Sequence, residues 1–324
     1  MPKRIVLLII LLGVLLVSSC SKAPDLGVAN SFADTLQWTD FVWHSAALGD
    51  ETFEKAAILL PLNMNGLSSG KLWMQLDTGK YGTVFYERPF LALPKRSYSV
   101  LERLSFKPSV VSVDAQLGSL QVNNLQATIM RGFGSPVESL EQDVSFGTVG
   151  LDLFMGQVLV LDFPSSRLAV APSIEHIPVE LTAKAKYQDV YISGGKLVVP
   201  VAGQEQLSLF FDTGSSIHTM MFEPLVWERL TNRDMSDPTL QSLAGSSWGQ
   251  ETKAVFAEAI GSYQIAGEWF HSPLISATDS SAEHLQFSKS YGVAGLIGNA
   301  LFYDEYVVIL DLKAMRFGLV HKGK

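Results

Sequence analysis

Two aspartates in the 324-residue chain sit in the same short context, Asp77-Thr78-Gly79 and Asp212-Thr213-Gly214-Ser215. Each follows an apolar stretch, Leu72-Trp73-Met74-Gln75-Leu76 or Leu207-Ser208-Leu209-Phe210-Phe211, that reads as a buried strand. An aspartate on a tight turn after such a strand is costly to hide unless donors satisfy it. The threonine hydroxyl and the flexible glycine backbone at the next two positions can supply them. One such turn is only a turn. Two, related by a pseudo-twofold axis, can bring two carboxylates close together at a seam, where like charges cannot both ionise and one proton is shared. The charged member then takes a proton from a water held between them while the protonated member donates to a carbonyl oxygen. Water can attack an amide in this way with neither a metal nor a covalent nucleophile.

Other chemistry has less to stand on. One cysteine and six scattered histidines offer no zinc or iron-sulfur spacing, so no metal or cofactor is expected. Gly245-Ser246-Ser247-Trp248-Gly249 matches a serine-hydrolase pattern that would make Ser247 a nucleophile. That motif needs a buried strand before it and a helix after it. Residues 231–242 are polar and contain Pro238, so the segment reads as a flexible loop. His218 reads as structural or exposed, and Trp73, Trp227 and Trp269 as core residues.

The elements that must position the two aspartates recur in order along the chain. Besides the Asp-Thr-Gly pair, Gly118-Ser119-Leu120-Gln121-Val122 recurs as Gly261-Ser262-Tyr263-Gln264-Ile265. Gly147-Thr148-Val149-Gly150 recurs as Gly295-Leu296-Ile297-Gly298, and Asp162 and Arg167 recur as Asp311 and Arg316 with the same spacing of five. At average composition one Asp-Thr-Gly occurs by chance in about one chain of this length in fifteen, and two in well under one in a hundred. A duplication is the better account. The halves are expected to span 36–171 and 187–324, joined by a connector at 172–186 that holds Pro172 and Pro178. Short apolar runs split by Gly, Asn, Ser and Pro predict a mostly β protein, with Glu223 to Leu230 the best short helix.

At these residues the chain resembles the aspartic proteases of the pepsin and retropepsin type. The resemblance covers both halves and rests on the two Asp-Thr-Gly motifs, on Ser215, and on Val149-Gly150 and Ile297-Gly298. It implies an all-β fold of two pseudo-twofold-related pepsin-like β-barrel lobes, six-stranded in type, with a cleft between them, and an endopeptidase acting on peptide or protein substrates at acid pH. Asp77 and Asp212 would be the catalytic carboxylates. Thr78 and Thr213 would hydrogen-bond across the seam, Ser215 would bond the outer oxygen of Asp212, and the segments ending in Gly150 and Gly298 would support the loops carrying Gly79 and Gly214. The sequence departs from the family pattern at Lys80, where Ser, Thr or Ala is usual. That cation either lies beside Asp77 and modulates its ionisation or points to solvent. As a flap residue only Tyr98 presents itself. A non-catalytic pepsin-like lipoprotein that grips peptides or docks in the envelope is the alternative.

The N-terminus carries an address. Lys3 and Arg4 precede the apolar run from Ile5 to Val17, the order of a secretory signal. Val17-Ser18-Ser19-Cys20 resembles the lipobox of bacterial lipoproteins. The resemblance implies a signal peptide over 1–19, acylation of Cys20 as the membrane anchor, a tether over 20–35 and, with Ser21 next, an outer-membrane location facing the periplasm. No long basic segment separates Cys20 from the first half, so an acid-triggered zymogen is not expected. The net charge of −8, with no basic run interleaved with aromatics, argues against nucleic acid as a partner. At 47% hydrophobic and 17% charged, the chain can bury one large core or two moderate ones.

Overall fold

Alternating burial sets the strands. Leu72, Met74 and Leu76 point inward along Leu72–Leu76, and Val110–Leu117 buries every second side chain. Val158–Asp162 and Tyr306–Asp311 are instead buried at every position, because both faces of the sheet they form are covered. The computed structural model describes residues 37–48, 51–64, 72–93, 99–102, 109–136, 143–278 and 283–323. Cys20, the signal, the tether and Tyr98 lie outside these residues. Among the described residues no helix is long and apolar enough to cross a membrane.

The first half forms an eight-stranded sheet in the order Val42–Leu48, Glu51–Met64, Leu72–Leu76, Val144–Val149, Val84–Tyr86, Leu120–Met130, Val110–Leu117, Ser99–Glu102. Glu51–Met64 also pairs with Val110–Leu117, placing Leu62 opposite Leu117 and closing six of the strands into a barrel. The second half repeats the scheme as Tyr191–Ser193, Lys196–Val201, Leu207–Phe211, Gly295–Ile297, Met220–Phe222, Leu274–Thr278, Gln250–Glu258, Gln241–Ser247. In both halves the strand leading into Asp-Thr-Gly runs parallel to the strand leading into Gly150 or Gly298. In both, the strand after the Asp-Thr-Gly turn runs parallel to a later strand of the same half. The two halves are therefore one topological unit used twice, and the protein is an all-β molecule of two lobes.

A third sheet joins the lobes. Its order is Gln37–Asp40, Arg167–Ala171, Val158–Asp162, Tyr306–Asp311, Arg316–His321, Lys186–Asp189, three strands from each side of its middle. At that middle Val160 faces Ile309, near the pseudo-twofold axis. The repeated Asp-to-Arg spacing has its cause here. Each pair closes a hairpin with an ion pair, Arg167 Nε to Asp162 Oδ2 at 3.0 Å and Arg316 Nη2 to Asp311 Oδ2 at 2.7 Å.

Two expectations change in detail. The helix runs Pro224–Thr231, with Glu223 preceding it and the proline in its first turn. Trp227 is buried and donates to the Ile275 carbonyl at 3.1 Å, and Trp73 is half-buried, but Trp269 is exposed. It lies on a separate hairpin, Ser262–Ile265 with Glu268–His271, in which Tyr263 and Ile265 take the inward face. Strand alternation leaves Trp269, opposite Gln264, on the outer face.

Candidate active site

Each Asp-Thr-Gly turn begins where its strand leaves the sheet. The Asp77 N–H donates to the Val149 carbonyl at 3.0 Å, and the Asp212 N–H to the Ile297 carbonyl at 2.9 Å. Gly150 and Gly298 permit the close approach. A Cβ at Gly150 would lie 2.5 Å from the Tyr81 carbonyl oxygen, and one at Gly298 would lie 2.2 Å from that of Ser215. Any side chain there would push the aspartate loop away.

The two turns hold each other through their threonines. Thr78 N–H donates to Thr213 Oγ1 at 2.9 Å, and Thr213 N–H donates to Thr78 Oγ1 at 3.0 Å. Each hydroxyl then donates onward across the seam, Thr78 to the Phe211 carbonyl at 3.1 Å and Thr213 to the Leu76 carbonyl at 3.0 Å. Both threonines are fully buried, so four reciprocal hydrogen bonds fix the two loops in one relative position. Their N–H and hydroxyl groups are thereby satisfied, and the Thr213 carbonyl accepts from Asn299 Nδ2 at 2.8 Å and Ser216 Oγ at 3.1 Å.

This lock sets the carboxyl groups of Asp77 and Asp212 face to face, within hydrogen-bonding reach of each other. A Cβ on Gly79 would lie 2.3 Å from the Asp212 carboxyl carbon, and a Cβ on Gly214 2.7 Å from that of Asp77. Only glycine leaves room for the pair. Asp212 accepts from the Gly214 N–H at 2.8 Å and from Ser215 Oγ at 3.0 Å. Asp77 accepts from the Lys80 N–H at 3.0 Å, and among the described residues no hydroxyl donates to it, Lys80 standing where Ser215 stands in the other half. Burial and the facing Asp212 carboxyl push Asp77 well above the usual carboxylate range, against an opposing pull from Lys196 and Lys80.

The pair opens into a cavity of about 340 Å³ between the lobes, beside a second of about 360 Å³ that shares Gln75, Gly214, Ser215, Ser247 and Leu285 in its lining. No protein-family model matches the chain, and no curated protein matches it. Among solved structures it is similar to an aspartic proteinase from Irpex lacteus, with TM-score 0.49, 10% identity, and coverage of 89% of this chain and 97% of that one. It is also similar to conglutin gamma, a basic 7S globulin from lupine seeds, with TM-score 0.48, 11% identity, and coverage of 89% and 95%. A third similar structure is basic 7S globulin from soybean, with TM-score 0.47, 10% identity, and coverage of 89% and 97%.

Four cleft residues escaped the sequence reading of the site. Tyr86 lines the cavity and shares a 2.9 Å hydrogen bond with Thr148 Oγ1. Trp248 lies at the tip of a hairpin in which Gln241–Ser247 pairs with Gln250–Glu258, so residues 245–249 are not a loose loop. Its two-residue turn is Trp248-Gly249, both left-handed, with φ of 49° and 79°. The tip reaches across to the first lobe, where the Trp248 ring stands 6.1 Å from that of Phe133 and 5.2 Å from Lys80 Nζ. Lys80, half-buried, therefore faces the cleft mouth. His284 Nε2 and Ser247 Oγ share a 2.9 Å hydrogen bond in the same wall. No helix follows Ser247, so the strand-to-helix turn that would project a nucleophile is missing there. The fourth residue, Lys196, enters from the second lobe and donates to the Gly79 carbonyl of the first.

Proposed function

We propose that the protein is an aspartic endopeptidase in which Asp77 and Asp212 hold one proton between them and activate a water for attack on a peptide bond. The face-to-face contact of the two carboxyls at the floor of an open cleft carries this reading. The surroundings divide the roles. Asp77 is buried, at 6% exposure, accepts no hydroxyl among the described residues and is pushed up by burial and by the facing Asp212, so it holds the proton. Asp212 accepts from Gly214 N–H and Ser215 Oγ and is assigned the role of base. Asp212 takes a proton from the water as its oxygen attacks the carbonyl carbon, and Asp77 gives its proton to the carbonyl oxygen. The tetrahedral adduct then collapses: a hydroxyl proton returns to Asp77, the proton on Asp212 passes to the departing nitrogen, and the starting state is restored. The threonine lock holds the geometry through the cycle.

The lipobox resemblance at Cys20 supports a location for this activity on the bacterial envelope, with acylation as the anchor, facing the periplasm. The reading is tested by cleavage of a denatured protein at about pH 4–5, followed by mass spectrometry of the products, for the wild type and for Asp77→Asn and Asp212→Asn. Hydrolysis in the wild type and loss of at least about a hundredfold in each variant is expected. Undiminished hydrolysis in both variants removes the mechanism. Peptide binding without cleavage at any pH assigns the cleft to recognition alone.

A further inference from the structure

Lys196 begins the strand Lys196–Val201, directly after the turn residues Gly194 and Gly195, both at positive φ. A lysine at the foot of a hairpin ordinarily extends into solvent. Here it is half-buried, and its ammonium lies 4.7 Å from the centroid of Phe210 and 4.6 Å from that of Tyr291. Rings presenting their faces to an ammonium hold it electrostatically. From that seat it crosses the seam between lobes to the Gly79 carbonyl, in the turn whose first residue is Asp77, and it lines the same cavity as both aspartates.

We propose that Lys196 is a positioning residue of the carboxyl pair: it ties the Asp77 turn to the second lobe and supplies a countercharge to the singly protonated pair. Two carboxyls holding one proton carry one negative charge, and the Lys196 ammonium shares their partly desolvated space, where burial lowers its pKa and the two aspartates pull it back up. Removing one partner from such a cluster leaves the other charge uncompensated. Among the described residues, the other titratable groups around the pair and Lys196 come from several elements. Lys80 comes from the Asp77 turn, Tyr86 from Val84–Tyr86, Tyr291 from Phe287–Tyr291 and His284 from Glu283–Leu285, with Asp152 behind Lys80. Tyr86 is pushed up by burial and stays neutral, and His284 is pushed down by burial and by Lys196, so it adds little charge above its depressed pKa. Of the two lysines, Lys196 acts more strongly on Asp77 than Lys80 does.

The kinetic consequence rests on the hydrolytic reading, but the electrostatic one does not. The test is a ¹³C-carboxyl NMR titration of Asp77 and Asp212 in the full chain, comparing wild type, Lys196→Met and Lys196→Arg. Loss of a cation a few ångströms away, at an effective dielectric near 20, raises both apparent pKa values of the pair by about one to two pH units in Lys196→Met. Lys196→Arg returns them most of the way, and Lys80→Ser moves them less than Lys196→Met does. In a hydrolysis assay both limbs of the pH profile shift upward in parallel with the titration. If Lys196→Met does not fold, Lys196→Gln, which keeps an N–H for the Gly79 carbonyl, carries the same comparison. An unchanged titration in a folded, uncharged variant overturns the proposal, as does Lys196→Arg behaving like Lys196→Met. Absence of hydrolysis in every protein, with the titration shift present, overturns the hydrolytic reading and leaves the role of Lys196 standing.

Discussion

Acid should weaken this protein through one histidine. His218 lies three residues beyond Ser215 and is 8% exposed, with Nδ1 2.7 Å from Ser276 Oγ and its ring stacked on Phe256 at 5.7 Å. Its backbone carbonyl receives the Ala300 N–H at 3.1 Å, so it is built into the support of the Asp212 loop. Burial lowers its pKa from 6.5 to about 4. The unfolded chain therefore takes a proton on this histidine as the pH falls through 6.5, while the folded protein resists until about 4. The stabilisation is fully present above the unfolded value and is lost progressively down to the folded one. At about 1.4 kcal/mol for each pH unit between them, it comes to about 3 kcal/mol, a large part of a typical folding free energy. The assay is urea denaturation at several pH values from about 7 to 4, for wild type and His218→Phe. The phenylalanine retains the stack on Phe256 and cannot titrate. The variant should be about 1 kcal/mol less stable near neutral pH, having lost the Ser276 contact. The wild type should lose about 3 kcal/mol more than the variant between pH 7 and pH 4. Parallel stability curves for the two proteins would show that His218 takes its proton equally well in the folded and unfolded states. The consequence reaches function, because a hydrolase working in acid would have its lower pH limit set by this histidine's effect on folding as well as by its carboxyls.

Other perturbations have equally definite outcomes. Gly79→Ala places a methyl 2.3 Å from the Asp212 carboxyl, so hydrolysis should fall to the level of the Asn variants while circular dichroism still reports a folded β protein. Thr78→Val and Thr213→Val should each cost about 1–3 kcal/mol in denaturation experiments, since each leaves buried backbone partners unpaired. The double variant should cost less than the sum of the two, because the hydroxyls serve one network. Trp248→Ala removes the ring that spans from the hairpin tip to Phe133 and Lys80. It should raise KM for peptide substrates more than it lowers kcat, and a pure kcat effect would show that the tip does not touch bound substrate.

Much of the architecture was legible because duplication writes the same constraints twice. The Asp-Thr-Gly turns, the glycines after Val149 and Ile297, and the Asp-to-Arg hairpins recur because each solves one steric or electrostatic problem in both lobes. The threonine lock could be foreseen only through the family resemblance, since nothing local in either turn reveals a partner 135 residues away. Residues that break the symmetry were hidden. Lys196 reads as an ordinary solvated lysine after a Gly-Gly turn, and only the packing of Phe210 and Tyr291 turns it inward. Trp248 sits in a small-residue stretch that matches a hydrolase motif, and its role emerges from the pairing of the flanking strands. Trp269 failed as a core residue because one position along a strand reverses the face, and hydrophobicity alone does not fix that phase.

On the proposed mechanism Asp77 and Asp212 titrate as one unit. Carboxyl NMR of the wild type between about pH 3 and 8, repeated on Asp77→Asn and Asp212→Asn, measures this directly. A broad interval in which one carboxyl is protonated and the other charged is expected, together with a large change in the surviving aspartate's titration when its partner becomes asparagine. Two aspartates that each titrate near the ordinary value of about 3.9 and ignore each other's replacement would contradict it.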